Sequence, residues 1–241
     1  MPPNRSNEIY QYSLISALMA GVADVGIPAS DLVQYSQGLG TFTTLEGELT
    51  LLDGKVYRSQ PDGSVHEVGH DDDDKATFVM ATKLAPDTIF RTKVGNKDTL
   101  QQKLEKTFAE YKNMFIAYRA RNVGKGWKVK IRIIGGQQYS GQSLSEVGDA
   151  QKLFEYDDVQ GEIVGFTSPS NWQGVSVAGE HMHFLSNDRK YGGHVLELEV
   201  DEAEVQAAVV SSLYIDLPKG GVFNNVDLMV DDESIRKCEG S

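Results

Sequence analysis

Three of the five histidines in this chain fall in one short stretch, 179-GEHMHFLSNDRKYGGHVLELEV-200. His181 and His183 form an H-x-H pair, and side chains two apart on a strand point to the same face. Two imidazoles then aim at one point, with Met182 turned the other way. SNDRKYGG reads as a turn that folds the chain back through Asn187-Asp188 and Gly192-Gly193. A returning strand that begins at His194 brings a third imidazole to the same point. Three imidazoles with an open position are what a catalytic divalent metal needs. The other two histidines, His66 and His70, flank a turn-rich acidic segment and read as surface residues. An i,i+4 pair can bind metal on a helix, but SVHEVGHDDDD has no helical pattern.

Length and composition narrow the partners. A chain of 241 residues is enough for one large domain or two modest ones. Hydrophobic content of 40% with 24% charged residues is that of a globular protein. No apolar run approaches ~18 residues, so no membrane span is expected. The start, MPPNRSNEIYQYS, lacks an apolar signal core, which points to the cytoplasm. One cysteine, Cys238, leaves no internal disulfide. A net charge of −12 argues against nucleic acid, which needs clustered Lys and Arg. It also disfavours anionic partners at long range. A small anionic substrate would need positive charge placed locally, as a metal and one or two arginines supply.

Along the chain, SLISALMAG (14–22) is helix-like, and Ser30 caps a short helix, SDLVQYS. From Gly40 the pattern changes to strands: Thr41–Thr44, Glu48–Leu52 and Lys55–Ser59. The last two are joined by Asp53-Gly54, a hairpin turn. The run DDDDK (71–75) is a solvated loop, and TFVMATK (77–83) is a buried strand. Leu100, Leu104, Phe108 and Tyr111 follow helical spacing, with Asn96 or Asp98 as the start signal. Strands follow at Met114–Arg119, Lys128–Ile134, Glu162–Thr167, Val175–Leu185 and His194–Val200. DEAEVQAAVVS (201–211) is a helix or a linker into a strand at Leu213–Leu217. The fold class is therefore α+β: two lobes built on mixed β-sheets with few helices, residues 1–122 and 123–241, the second carrying the histidine hairpin.

The stretch 165-GFTSPSNWQGVSVAGEHMHFLSNDRKYGGHVLE-197 resembles the signature region of the alpha-acetolactate decarboxylase family. Three more blocks in the same order extend the resemblance over most of the chain: 38-GLGTFTTLEGELTLLDGKVYR-58, 115-FIAYRARNVGKGWKVKIRIIGGQ-137 and the tail 235-IRKCEGS-241. The chain departs from the family at Glu180, where a tyrosine is usual. It also departs at Ile133-Ile134-Gly135-Gly136, in place of a more proline-containing stretch, and at the acidic run, which looks like an insertion.

The resemblance implies a lyase that decarboxylates 2-acetolactate to acetoin, with one Zn2+ per chain on His181, His183 and His194, in a homodimer. The substrate is a 2-hydroxy-3-keto acid whose ketone accepts the electrons left on C2. No thiamine or pyridoxal is then required, and no motif for either is evident. What remains is to stabilise charge on two oxygens, as a Zn2+ Lewis acid can, and to deliver a proton to one face. Alternation in KVKIRII puts Lys128, Lys130 and Arg132 on one face, which alone reads as an exposed cationic face. The resemblance moves Arg132 into the site, to steer the substrate carboxylate and then stabilise the enediolate. Glu48 lies with Thr50 on the polar face of GELTLL and alone reads as solvent-facing. The resemblance makes it a ligand-side acid or a further metal ligand. Glu239 by pattern belongs to a frayed tail, and by resemblance folds back over the site and relays a proton. Which glutamate donates stays open. Thr41, in G-T-F, is a candidate for a hydroxyl contact with substrate. Two alternatives remain on the residues alone. One is a cupin-like metalloenzyme, which also uses H-x-H but usually has a glutamate a few residues later, where this chain has Asn187 and Asp188. The other is a non-enzymatic metal-dependent binding module.

Overall fold

The computed structural model describes residues 5–220 and 222–229. Seven strands come first: β1 (Glu8–Tyr12), β2 (Ile27–Pro28), β3 (Gln37–Phe42), β4 (Glu48–Leu52), β5 (Lys55–Ser59), β6 (Val65–Glu67) and β7 (Lys75–Thr82). They form one sheet in the order β1-β7-β3-β4-β5-β6, with β2 on β7. Seven more follow: β8 (Thr88–Val94), β9 (Phe115–Asn122), β10 (Trp127–Ile133), β11 (Lys152–Val159), β12 (Gly161–Ser168), β13 (Gly179–Ser186) and β14 (Gly192–Val210). Their order is β11-β10-β14-β13-β12-β9, with β8 on β14. β14 also pairs with β9 from Ala203 to Val210, so the second sheet closes on itself. A last strand, β15 (Ser212–Asp216), returns to the first sheet beside β1, in parallel. The α+β expectation of two sheets with few helices therefore holds; the first sheet is mixed through its parallel β1–β15 pair, and the second is antiparallel throughout. The expected division at 122/123 does not follow the sheets, because β8 and β9 lie in the second sheet and β15 in the first.

Local chemistry explains most of the elements. The β4–β5 turn has positive φ at Asp53 (53°) and Gly54 (74°), the conformation for which an Asp-Gly pair is suited. The long helix, α2 (Lys97–Thr107), starts at Asn96 rather than Asp98, since Asn96 and Thr99 form a reciprocal capping box. Leu100, Leu104 and Phe108 are buried on its inner face, whereas Tyr111 lies beyond the helix and is exposed. The 14–22 stretch yields only a short α1 (Ile15–Met19). The Ser30 segment is a 3-10 turn, Ala29–Gln34, entered from Pro28. A third helix, α3 (Leu144–Gly148), begins at Ser143 in a capping box with Glu146.

Residues 201–210 differ from the sequence reading. The Ala- and Glu-rich composition suggests a helix or linker, yet the chain continues as β14. Ala203, Val205 and Ala207 alternate into the core, and the segment is paired on both edges, by β8 and by β9. Pairing on two sides outweighs residue propensity. The strand expected from Val175 begins instead at Gly179, after turns around Ser170–Trp172.

One core fills the space between the sheets, with Leu39, Phe78 and Met80 meeting Val164, Phe166 and Leu185. A second lies on the other face of the second sheet, where Leu100 and Leu104 of α2 cover Tyr118, Met182 and Phe184. Among the described residues no helix is long and apolar enough to cross a membrane. The sheets are tied at their edges. Arg119 on β9 donates to Asp53 of the β4–β5 turn at 2.6 Å and to Glu162 on β12.

Close packing inside the first sheet depends on Gly40. A Cβ there would sit 2.0 Å from the Phe78 carbonyl oxygen on β7, and backbone cannot swing aside as a side chain can. Gly40→Ala is expected to lower stability by about 1–3 kcal/mol, the usual range for overpacking. A denaturant midpoint equal to that of the unchanged protein would show that β3 and β7 have room to separate.

Candidate metal centre

Strand register assembles the site. On the second sheet His183 pairs with His194 across β13 and β14, and His194 pairs with Arg132 across β14 and β10. Direct cross-strand partners share a face, so His183, His194 and Arg132 stand in a row toward the first sheet. His181, two residues before His183 on β13, shares that face. The first sheet opposes this row with its own: Glu48 pairs with Thr41 across β4 and β3, and Thr41 with Phe78 across β3 and β7. All line one cavity of about 20 Å³, together with Ile15, Leu18, Ile134 and Leu144. That is room for about one water-sized sphere. Six of the seven residues singled out from the sequence thus meet at one point. Glu239 lies outside the described residues, as does Cys238.

The three histidines offer ligand nitrogens within 4.8 Å of one another, and all three are buried. Their ring centroids are 5.2–5.5 Å apart. His183 Nδ1 lies 2.8 Å from the Leu49 carbonyl oxygen on β4. A carbonyl only accepts, so this nitrogen carries a proton, which leaves Nε2 as the atom that can offer a lone pair to a metal. His181 stacks on the Phe78 ring at 6.4 Å. Burial pushes the His181 pKa down to about 3, and the Arg132 charge adds to the effect. Burial and then Arg132 hold His194 well below the usual imidazole range. Both rings are therefore neutral at ordinary pH, the form that binds metal. Three imidazole nitrogens converging on an ion-sized space fit a divalent metal ion.

Charge surrounds this cluster on two sides. Glu48, read from its pattern as solvent-facing, is buried because the second sheet stacks on β4. Its Oε2 stands 3.7 Å from His183 Nε2, too far for a hydrogen bond. Arg132 is 3% exposed. The alternation along β10 holds, and the lysines differ from Arg132 by their place on the strand. Beyond Ile133 the chain touches the first sheet: the Gly47 amide donates to the Ile134 carbonyl at 3.1 Å, and Gly135 bridges Glu46. That contact ties the end of β10, where Arg132 stands, to the first sheet. Lys128 is exposed and Lys130 pairs with Glu155 at 3.1 Å, away from it. Thr41 is buried, and its hydroxyl donates to the Gly47 carbonyl at 2.7 Å.

Some members were not legible from the sequence. Phe78, Ile15, Leu18 and Leu144 carry no mark beyond being apolar, and the Leu49 carbonyl is backbone. Glu180 had one signal, its departure from the usual tyrosine. It is 2% exposed and faces away from the histidines. Its carboxylate accepts from Tyr118 Oη at 2.5 Å and from Thr167 Oγ1. Burial raises its pKa to about 7 in spite of these two bonds. A larger cleft, about 1240 Å³, runs beside α2, and none of the seven candidate residues lines it. His70 is exposed, as expected, His66 on β6 is half-buried, and neither belongs to the cluster.

A family model described as alpha-acetolactate decarboxylase matches residues 9–230. Alpha-acetolactate decarboxylase from Methanosarcina mazei is 35% identical over 227 residues, covering 93% of this chain and 77% of that protein. The protein of that name from Bacillus subtilis is 32% identical over 240 residues, covering 98% of this chain and 92% of its own. A crystal structure of alpha-acetolactate decarboxylase from Bacillus subtilis is similar with a TM-score of 0.90 at 30% identity, over 97% of this chain and 100% of that one.

The depressed histidines make stability depend on pH. A ring neutral in the folded state but titrating near pH 6.5 when unfolded favours unfolding once protons are available. The loss begins as pH falls through about 6.5 and, for His181, accumulates down to about 3. Metal-free protein at pH 5 should be less stable than at pH 7 by on the order of 1–2 kcal/mol for each such histidine. His181→Gln should reduce that difference, measured by urea unfolding at both pH values. Equal dependence in both proteins would mean that His181 is protonated when folded.

Proposed function

The chain belongs to the alpha-acetolactate decarboxylase family, and from that premise we propose that it converts acetolactate to acetoin and CO2 with one zinc ion on His181, His183 and His194. The observation that carries the reading is the convergence of three buried imidazoles beside Arg132 and Glu48 in one small cavity between the sheets. A homodimer, taken from the resemblance, belongs to the same proposal.

Loss of CO2 from C2 leaves an electron pair that the C3 carbonyl accepts, and C2 then takes up one proton. A bound divalent ion would supply Lewis-acid stabilisation of the oxygens on which charge develops. The chain's residues have the rest to do. Arg132 is buried, so its charge acts with little screening, and a planar guanidinium can hold a carboxylate through two bonds. Once CO2 has left, the same charge lies beside the developing enediolate. Thr41 spends its proton on Gly47, so toward substrate it offers only lone pairs, suited to accepting from the 2-hydroxyl. Glu48, beside His183, is one candidate to hold and deliver the C2 proton, and Glu239 is the other. Ile15, Leu18, Ile134 and Leu144 keep water from the carbanionic carbon. A donor fixed on one side protonates one face, so acetoin should form as a single enantiomer.

Incubation of zinc-loaded protein with racemic acetolactate tests the reading. Acetoin and CO2 should appear, a chelator should abolish turnover, and Zn2+ should restore it. Folded, metal-loaded protein that makes no acetoin overturns the proposal and leaves a cupin-like enzyme or a binding module. A His181→Ala/His183→Ala variant should lose zinc by elemental analysis. Arg132→Lys should keep zinc but lose about 100-fold or more in kcat, since lysine lacks the planar fork. Unchanged kcat and KM would remove Arg132 from the chemistry.

A further inference from the structure

Glu180 and His181 are consecutive on β13 and face opposite sides of it. On one edge β13 is paired with β12 along its whole length, from Gly179 to Ser186. On the other edge the ladder to β14 covers only Leu185, Phe184 and His183. At His194 β14 parts from β13 and continues along β10, where Val195 pairs with Ile131. His181 therefore stands on the part of the strand that β14 does not accompany. The strand also begins there, at Gly179 with φ of 87°, directly after a loop. Backbone pairing holds His183 and His194 more closely than it holds His181.

A side-chain tie lies at that point. Glu180 accepts from Thr167, its direct partner on β12, and from Tyr118 on β9, one strand further away. Tyr118 reaches it by lying across β12 at Gly165. A Cβ on Gly165 would be 2.3 Å from Tyr118 Cζ and 2.4 Å from its hydroxyl oxygen. The glycine, the tyrosine and the threonine thus come from two strands to hold one carboxylate, and none of them touches the histidine cavity.

We propose that Glu180 is a positioning residue for the metal centre: through Tyr118 and Thr167 it fixes the start of β13, and so the direction from which His181 reaches the shared point. The inference rests on the metal reading given above. Glu180 acts through the strand alone, since it faces away from the cavity. Loss of the tie should weaken metal binding and alter its geometry rather than only lower stability.

Cobalt titration of the metal-free protein, followed by visible absorption, separates the possibilities. The unchanged protein should bind one Co2+ with the spectrum of a low-coordinate site. Tyr118→Phe, which keeps the ring, and Glu180→Leu should each weaken binding about tenfold or more and shift the bands. Glu180→Gln, which keeps shape and one acceptor, should recover much of the loss. Trp127→Phe serves as a control: it removes a buried 3.0 Å bond to the Gly161 carbonyl in the same sheet, far from the tie. It should lower the melting temperature with cobalt affinity unchanged. Absence of cobalt binding by the unchanged protein would overturn the metal reading and this inference with it. Normal affinity and spectrum in Tyr118→Phe and Glu180→Leu would overturn this inference alone. So would an equal loss in Trp127→Phe, which would reduce the tie to general stability.

Discussion

His194 is paired on both sides at once, with His183 on β13 and with Arg132 on β10. That double register is the constraint on which the site depends. It sets two imidazoles and a guanidinium side by side on one face, at spacings fixed by the sheet and not by flexible side chains. A shift of one residue on either side would turn one of the row toward the opposite face. The first sheet closes over the row with Glu48, Thr41 and Phe78, which owe their places to the same kind of pairing. The site is thus two facing ladders, and its rigidity is that of the sheets.

Placing this row between two sheets has an electrostatic cost and a chemical use. A buried guanidinium beside imidazoles makes their protonation unfavourable, which adds to the effect of burial itself. The same arrangement keeps the nitrogens ready to bind a cation and leaves a positive group near any negative charge that forms. Glu48 places a carboxyl group close to His183. The polar groups are few and the apolar residues around them many, so each charge acts with little screening.

Much of this was legible in the sequence where the signal was local. The H-x-H pair and its turn are a period-two pattern within one hairpin, and the Asp53-Gly54 turn and Asn96 cap are likewise short-range. Arg132 and Glu48 lay on the faces that alternation assigned to them, but alternation does not say what covers a face. Their burial comes with the facing of one sheet on the other, which joins distant parts of the chain. Residues 201–210 misled for the same reason, since the two flanking strands that extend β14 are about 85 and 110 residues away in sequence. Glu180 stood out only as a departure from a family pattern, and its partners, Tyr118 and Thr167, carried no mark at all.

The path of the chain between the sheets bears on how such a molecule comes into being. β1 waits for β15, some two hundred residues later, before its outer edge is covered. β8 and β9 likewise remain without their main neighbour until β14 has been made. Neither sheet is complete until most of the chain is available, so the interleaving joins both halves in one folding event. Cutting such a chain near residue 122 would give fragments with exposed strand edges rather than two smaller proteins, and edges of that kind invite pairing between chains.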